Sequence, residues 1–230
     1  MGTPSGAASP SASRGSAPST GRPDAPAHGC VRTKTWTLDA LEQDDAGVVV
    51  TMSTSSDDNT RVWWPGDFRL THRVTFGESL SLELTTVNTG IEPFTVQEAL
   101  HTYYRAGSIH GIRVRGLEHV PYLDALDHRR ERMDGDAITF GSEVDRIYLG
   151  TGAPIEIEDP ALGRRVRITT NHSRTTVVWN PWIRKAQALS DLGDDEWNDF
   201  VCVESCNVAP QVVTLEPAQR HTMRVVVQVA

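Results

Sequence analysis

From Trp36 onward, apolar and polar residues alternate in short runs. Phe68, Leu70, His72, Val74 and Phe76 fall on one side of an extended segment, with Arg69, Thr71, Arg73 and Thr75 on the other, because successive side chains of a strand point to opposite faces. Leu80, Leu82 and Leu84 repeat the pattern, and Gly77-Glu78 between the two runs predicts a hairpin. Ile155 with Ile157, Val166 with Ile168, and the final series Met223, Val225, Val227 and Val229 predict further strands. Asn88-Thr89-Gly90, Asp134-Gly135 and Leu162-Gly163 mark turns. Helical spacing is weak, predicting only a short helix over 183–192 and a helical turn over 195–200. Many short strands with no strand–helix–strand rhythm predict an all-β fold, a sandwich or barrel.

The first 25 residues follow a different rule. They are mostly Ser, Ala, Pro, Gly and Thr, with only Arg14, Arg22 and Asp24 charged. A segment with so little to bury predicts a disordered tail over 1–25, ahead of one domain over 26–230. The formal net charge of −8 speaks against a broad nucleic-acid surface, although a few local arginines can still hold a small anion. No run of about 18 apolar residues exists to span a membrane, and the N-terminus lacks the apolar core of a secretory signal. A cytoplasmic protein is therefore expected. Three cysteines, Cys30, Cys202 and Cys206, are too few for a disulfide framework and suit a reducing compartment. The four-residue spacing of the last two lacks a CxxC or histidine partner, so inert buried thiols are expected rather than zinc ligands.

Four segments carry candidate chemistry. If residues 97–104 form one strand, Gln97, Ala99, His101 and Tyr103 share a face. Such a mixture makes a poor core layer and a reasonable ligand wall; the plainer alternative is a half-exposed strand with a hydrogen-bonded histidine. In Val201-Cys202-Val203-Glu204, apolar residues run straight into a carboxylate, and alternation puts Cys202 and Glu204 on one face. A carboxylate ending a buried strand is costly without a partner or a task, unless it turns to water. Trp179-Asn180-Pro181-Trp182 makes a rigid corner whose rings could stack on a sugar and whose amide could bind hydroxyls; core filling explains it equally well. His28-Gly29-Cys30-Val31-Arg32 offers close backbone approach and a guanidinium fork that suits phosphate, against the commoner fate of an arginine as a surface charge. His101, His110, His119 and His128 fall nine apart, a spacing that gives no common face and no metal site.

In order along the chain, these segments resemble the hexose-6-phosphate mutarotase (glucose-6-phosphate 1-epimerase) family, within the galactose mutarotase-like superfamily. The matching pieces are Pro26-Ala27-His28-Gly29 with Arg32, Glu98-Ala99-Leu100-His101-Thr102-Tyr103, Gly116-Leu117 and Tyr122-Leu123-Asp124. They continue with Phe140, Glu143-Val144-Asp145-Arg146-Ile147-Tyr148, Val178-Trp179-Asn180-Pro181-Trp182, Gly193-Asp194-Asp195-Glu196 and Val201-Cys202-Val203-Glu204. The resemblance implies a large antiparallel β-sandwich that binds a sugar phosphate. By motif match it implies His101 and Glu204 as the catalytic pair, Asp145 as a hydroxyl ligand, Arg32 as a phosphate ligand and His28 as a further substrate ligand. It implies no metal and no organic cofactor.

Two departures matter. Members of that family usually carry several dozen residues before the His-Gly segment, with early strands and an Arg-Gly-Gly stretch, where this chain has its Ser/Ala/Pro-rich tail. An aromatic residue usually follows His-Gly, and here it is Cys30. The sandwich is thus expected to lack its first strands, to hold an incomplete phosphate pocket and to expose a sheet edge through which an otherwise monomeric chain could associate. The alternative to an enzyme is a non-catalytic sugar-binding module of the same descent, and beyond that a ligand-free sandwich.

Overall fold

On the strand Phe68–Phe76, Phe68, Leu70, His72 and Val74 are buried while Arg69 and Arg73 are exposed, the alternation that one covered face demands. A computed structural model describes residues 28–45, 47–132, 135–208 and 210–230. The tail expected over 1–25, Pro26, Ala27 and Asp134 lie outside the described residues.

The chain divides into two compact units. The first holds β1 (Thr37–Asp44), β2 (Gly47–Ser55), helix α1 (Asp58–Trp63), β3 (Phe68–Phe76), β4 (Leu80–Asn88), β5 (Phe94–Val96) and β6 (Glu98–Leu100). The second holds β7 (Tyr103–Arg105), β8 (Arg113–Arg115), β9 (Pro121–Asp124), β10 (Arg130–Arg132), β11 (Val144–Leu149), β12 (Ile155–Asp159), β13 (Arg164–Asn171), β14 (Thr175–Asn180), helix α2 (Trp182–Ala186) and nearly all of β15 (Phe200–Asn207). The chain then returns to the first unit for β16 (Val213–Leu215) and most of β17 (Arg220–Val229).

In the first unit, β1, β2, β3, β4 and β17 lie side by side, and β5 pairs with β16. The β3–β4 hairpin forms as predicted, Phe76 facing Leu80 across Gly77-Glu78-Ser79. At the Asn88-Thr89-Gly90 turn the buried Asn88 amide donates to the carbonyls of Glu92 and Leu215 and accepts from the Gly90 N–H, which closes the turn from within. Phe76 and Val229 were expected inward, yet they are 46% and 62% exposed. Each is the last residue of its strand.

The second unit contains an antiparallel sheet ordered β10-β9-β11-β14-β15, with β7 also paired to β15, and a set β8-β12-β13. Tyr148, Val178, Val201 and Val203 of the former and Val114, Ile157, Val166 and Ile168 of the latter are almost fully buried. Antiparallel pairing of short strands is the all-β class that the alternation predicts. The helix expected over 183–192 is shorter, stopping at Ala186, and a 3₁₀ turn over Glu196–Asp199 occupies the second predicted position. No helix among the described residues is long and apolar enough to cross a membrane.

Gly116 has φ +91°, and a Cβ there would sit 2.2 Å from the Pro154 carbonyl oxygen. Gly116→Ala therefore meets both a left-handed backbone and backbone that cannot yield. We expect it to cost about 1–3 kcal/mol, read as a lowered thermal midpoint by circular dichroism; an unchanged midpoint would contradict this geometry.

Candidate active site

The site is built on one face of the sheet in the second unit. Asp145 of β11 is the register partner of Trp179 on β14, Trp179 of Cys202 on β15, and Cys202 of Tyr103 on β7. One step along, Ile147 pairs with Val177 and Val177 with Glu204. Directly opposite residues of paired strands share a face, so Asp145, Trp179, Cys202, Tyr103 and Glu204 are presented together. The opposite face carries the buried Val178, Val201 and Val203.

Glu204 does not end its strand as the sequence suggests. It lies within β15, which continues to Asn207, and its side chain is 9% exposed. A carboxylate so placed needs a partner, and it has one: His101 Nδ1 lies 2.8 Å from Glu204 Oε2, with the imidazole 18% exposed. The alternation expected over residues 97–104 is broken here. β6 ends at Leu100, His101 and Thr102 belong to neither strand, and β7 begins at Tyr103. His101 thus reaches Glu204 from a break between strands. The two touch directly; they do not face each other across a hollow. A hollow of about 400 Å³ in the same unit, lined by residues such as Glu158, Asp159 and Arg164, contains neither of them.

Two residues that the sequence reading missed complete the charge pattern. Lys185 of α2 places its Nζ 2.9 Å from Glu143 Oε1 and 3.6 Å from Asp145 Oδ2. Burial raises the Asp145 carboxyl above the usual range. The Lys185 ammonium opposes this, and the charges of Glu204 and Glu143 add to it. Burial alone would lower the Lys185 ammonium, but its hydrogen bond to Glu143 and the charges of Asp145 and Glu143 outweigh that and hold it up. The Cys202 thiol is pushed well up by burial and by the nearby Glu204 charge, with a Tyr103 hydrogen bond pulling the other way. Cys202 and Cys206 are buried and unlinked, as expected of inert thiols. Tyr103, Trp179 and Phe200 cluster at centroid distances of 5.0–6.0 Å beside this row.

The Asn180 amide is not available to a sugar. Asn180 is fully buried, donates to the carbonyls of Trp197 and Phe200, and accepts from the N–H of Trp182. Its work is the corner itself, where Trp182 adopts φ +57° and packs against Trp197 and, edge-on, His110. Trp179, by contrast, stands on the candidate face. His119 and His128 sit at left-handed positions, φ 62° and 60°. His28 and Arg32 belong to the first unit, ahead of β1, and both are exposed. His28 and Gly29 have φ 61° and 86°, the tight backbone that the glycine was expected to allow. The group formed by His101, Glu204 and Asp145 does not include them.

A family model described as Aldose 1-epimerase matches residues 17–228. The chain belongs to the aldose 1-epimerase family. Within it, the chain is 34% identical over 197 residues to a Salmonella typhimurium protein named "Putative glucose-6-phosphate 1-epimerase", covering 85% of this chain and 65% of that protein. A Cenchrus ciliaris protein of the same name is 35% identical over 209 residues, covering 86% and 63%. The chain therefore spans slightly less than two thirds of the length of these relatives. The crystal structure of a Salmonella typhimurium protein described as a "putative mutarotase" superposes with TM-score 0.83 at 30% identity, covering 91% of this chain and 69% of that one. A galactose mutarotase related enzyme of Lactobacillus acidophilus shares the fold at 12% identity and TM-score 0.72. The aldose 1-epimerase assignment and the mutarotase-like β-sandwich both agree with the resemblance carried by the ordered motifs.

Proposed function

We propose that this chain interconverts the α and β anomers of a hexose 6-phosphate, glucose 6-phosphate first, with His101 and Glu204 as its proton carriers. The observation that carries the reading is the 2.8 Å contact between His101 Nδ1 and Glu204 Oε2 on a sheet face that also presents Asp145. The names of the relatives point to the same substrate.

The reaction needs two proton transfers. The Glu204 carboxylate takes the proton of the C1 hydroxyl while the His101 imidazolium protonates the ring oxygen, and the C1–O5 bond breaks to give an aldehyde. After rotation about C1–C2, the O5 hydroxyl attacks the other face of the carbonyl and returns its proton to His101. Glu204 then returns its own proton to the carbonyl oxygen, so enzyme and charge are restored. The two oxygens lie on one carbon, closer together than a hydrogen bond is long, so a histidine and a glutamate already in contact suit them. Asp145 is the proposed acceptor for a ring hydroxyl. Arg32, whose planar fork matches phosphate, and His28 beside it are the proposed ligands of the phosphorylated end. On that assignment Arg32→Ala raises KM for glucose 6-phosphate and leaves glucose unaffected.

The decisive experiment is two-dimensional exchange NMR between the anomers of glucose 6-phosphate with the full chain. Cross-peaks must build faster than in buffer. Calorimetric binding without faster exchange would replace the enzyme by a sugar-binding module.

A further inference from the structure

Lys185 has no assigned part in the chemistry above, yet its ammonium stands beside both Glu143 and Asp145. We propose that Lys185, anchored by Glu143, is a positioning residue for Asp145, holding a positive charge beside that carboxylate without occupying its oxygens, so that Asp145 remains an acceptor for a ligand hydroxyl. This rests on reading the sheet face as a sugar site.

The two distances decide the division of labour. At 2.9 Å, Lys185 and Glu143 form a charge-assisted hydrogen bond. At 3.6 Å, Lys185 and Asp145 are beyond hydrogen-bond length but well inside the range of an ion pair. Glu143 therefore takes the bond and Asp145 receives the field. The helix carrying Lys185 is aimed by the corner before it, where Asn180 holds the Trp182 N–H and Trp182 packs on Trp197. Lys185 lies three residues after Trp182, so its placement is inherited from a buried, hydrogen-bonded turn.

The charges facing Asp145 give the arrangement its purpose. From the residue just before its own strand comes Glu143, from β15 Glu204, and from α2 Lys185. His101 faces Glu204, and Asp124 of β9 is engaged by Arg146. Burial and both glutamates push the Asp145 carboxyl toward its neutral form, and the Lys185 charge opposes them. Without the ammonium, all the remaining influences act in one direction. Asp145 then takes up a proton at higher pH, and a protonated carboxyl is the poorer acceptor.

The test compares wild type with Lys185→Met, Lys185→Arg, Asp145→Asn and Lys185→Met/Asp145→Asn in anomer exchange of glucose 6-phosphate, from acid to neutral pH. Circular dichroism confirms that each variant folds. Lys185→Met is expected to raise KM roughly tenfold, the scale of one hydrogen bond to a charged group, with little change in kcat. Its loss of kcat/KM on acidification begins at higher pH than in wild type, and Lys185→Arg restores both. In the Asp145→Asn background, Lys185→Met adds nothing. A Lys185→Met variant with wild-type KM and pH profile overturns the proposal, as does an equal loss in both backgrounds. If wild type shows no exchange, the proposed activity fails, and the positioning claim is read directly from the ¹³C titration of the Asp145 carboxyl. A midpoint moved up in Lys185→Met supports the claim, and an unmoved one overturns it.

Discussion

Glu204→Gln is expected to slow anomer exchange of glucose 6-phosphate by about 10²–10⁴-fold, the usual worth of one positioned proton carrier. The substitution keeps the shape of the side chain and an oxygen to face His101 Nδ1, but an amide cannot take the C1 hydroxyl proton. Binding should therefore persist while kcat falls. His101→Ala removes the other carrier and should fall in the same range. The two side chains are in contact and serve one proton circuit, so the double variant should be little worse than the poorer single one. Exchange NMR on all three, beside calorimetric binding, gives the answer. A Glu204→Gln rate within a factor of a few of wild type would remove this pair from the mechanism, even if the chain proved to be an epimerase.

Sequence pattern reached the fold class because the strands cover one face each. Apart from Phe76 at the end of β3, the strands β3, β12 and β13 bury the residues that their alternation selects. It missed α1 because six residues are too few for a helical period to show. That helix is started by a capping box in which Asp57 accepts from the Thr60 N–H and Thr60 accepts from the Asp57 N–H. The break at His101-Thr102 was equally illegible, since alternation carries straight on through a two-residue interruption. Glu204 was legible as an oddity, an acid after apolar residues, but that it sits mid-strand follows from pairing with β14. Asn180 shows the limit from the other side. Its chemistry suits a sugar hydroxyl, and only the fold reveals that backbone has claimed its amide. Lys185 carried no signal of its own, because the turn that aims it depends on a left-handed tryptophan.

The largest stability effect should come from a group in the first unit that has no place in the proposed chemistry. Glu98 is 1% exposed. Its Oε1 accepts from Asn207 Nδ2 at 2.8 Å and lies 3.0 Å from His221 Nε2, while Oε2 accepts from Thr86 Oγ1 at 3.2 Å. A buried carboxylate is tolerable only while its lone pairs are filled. Asn207→Leu keeps the branching and the number of heavy atoms, at some cost in added bulk, and removes the shortest of these bonds, so the carboxylate stays buried with fewer donors. Losing one buried hydrogen bond to a charged group costs about 1.5–3 kcal/mol, which for a chain of this size lowers the thermal midpoint by roughly 3–12 °C. Glu98→Met in the same background should recover part of the loss, because it removes the charge that Asn207→Leu strands. Thermal melts of the two variants decide the matter. A midpoint unchanged in Asn207→Leu, or a double variant weaker than the single, would mean that Glu98 is not held by this network.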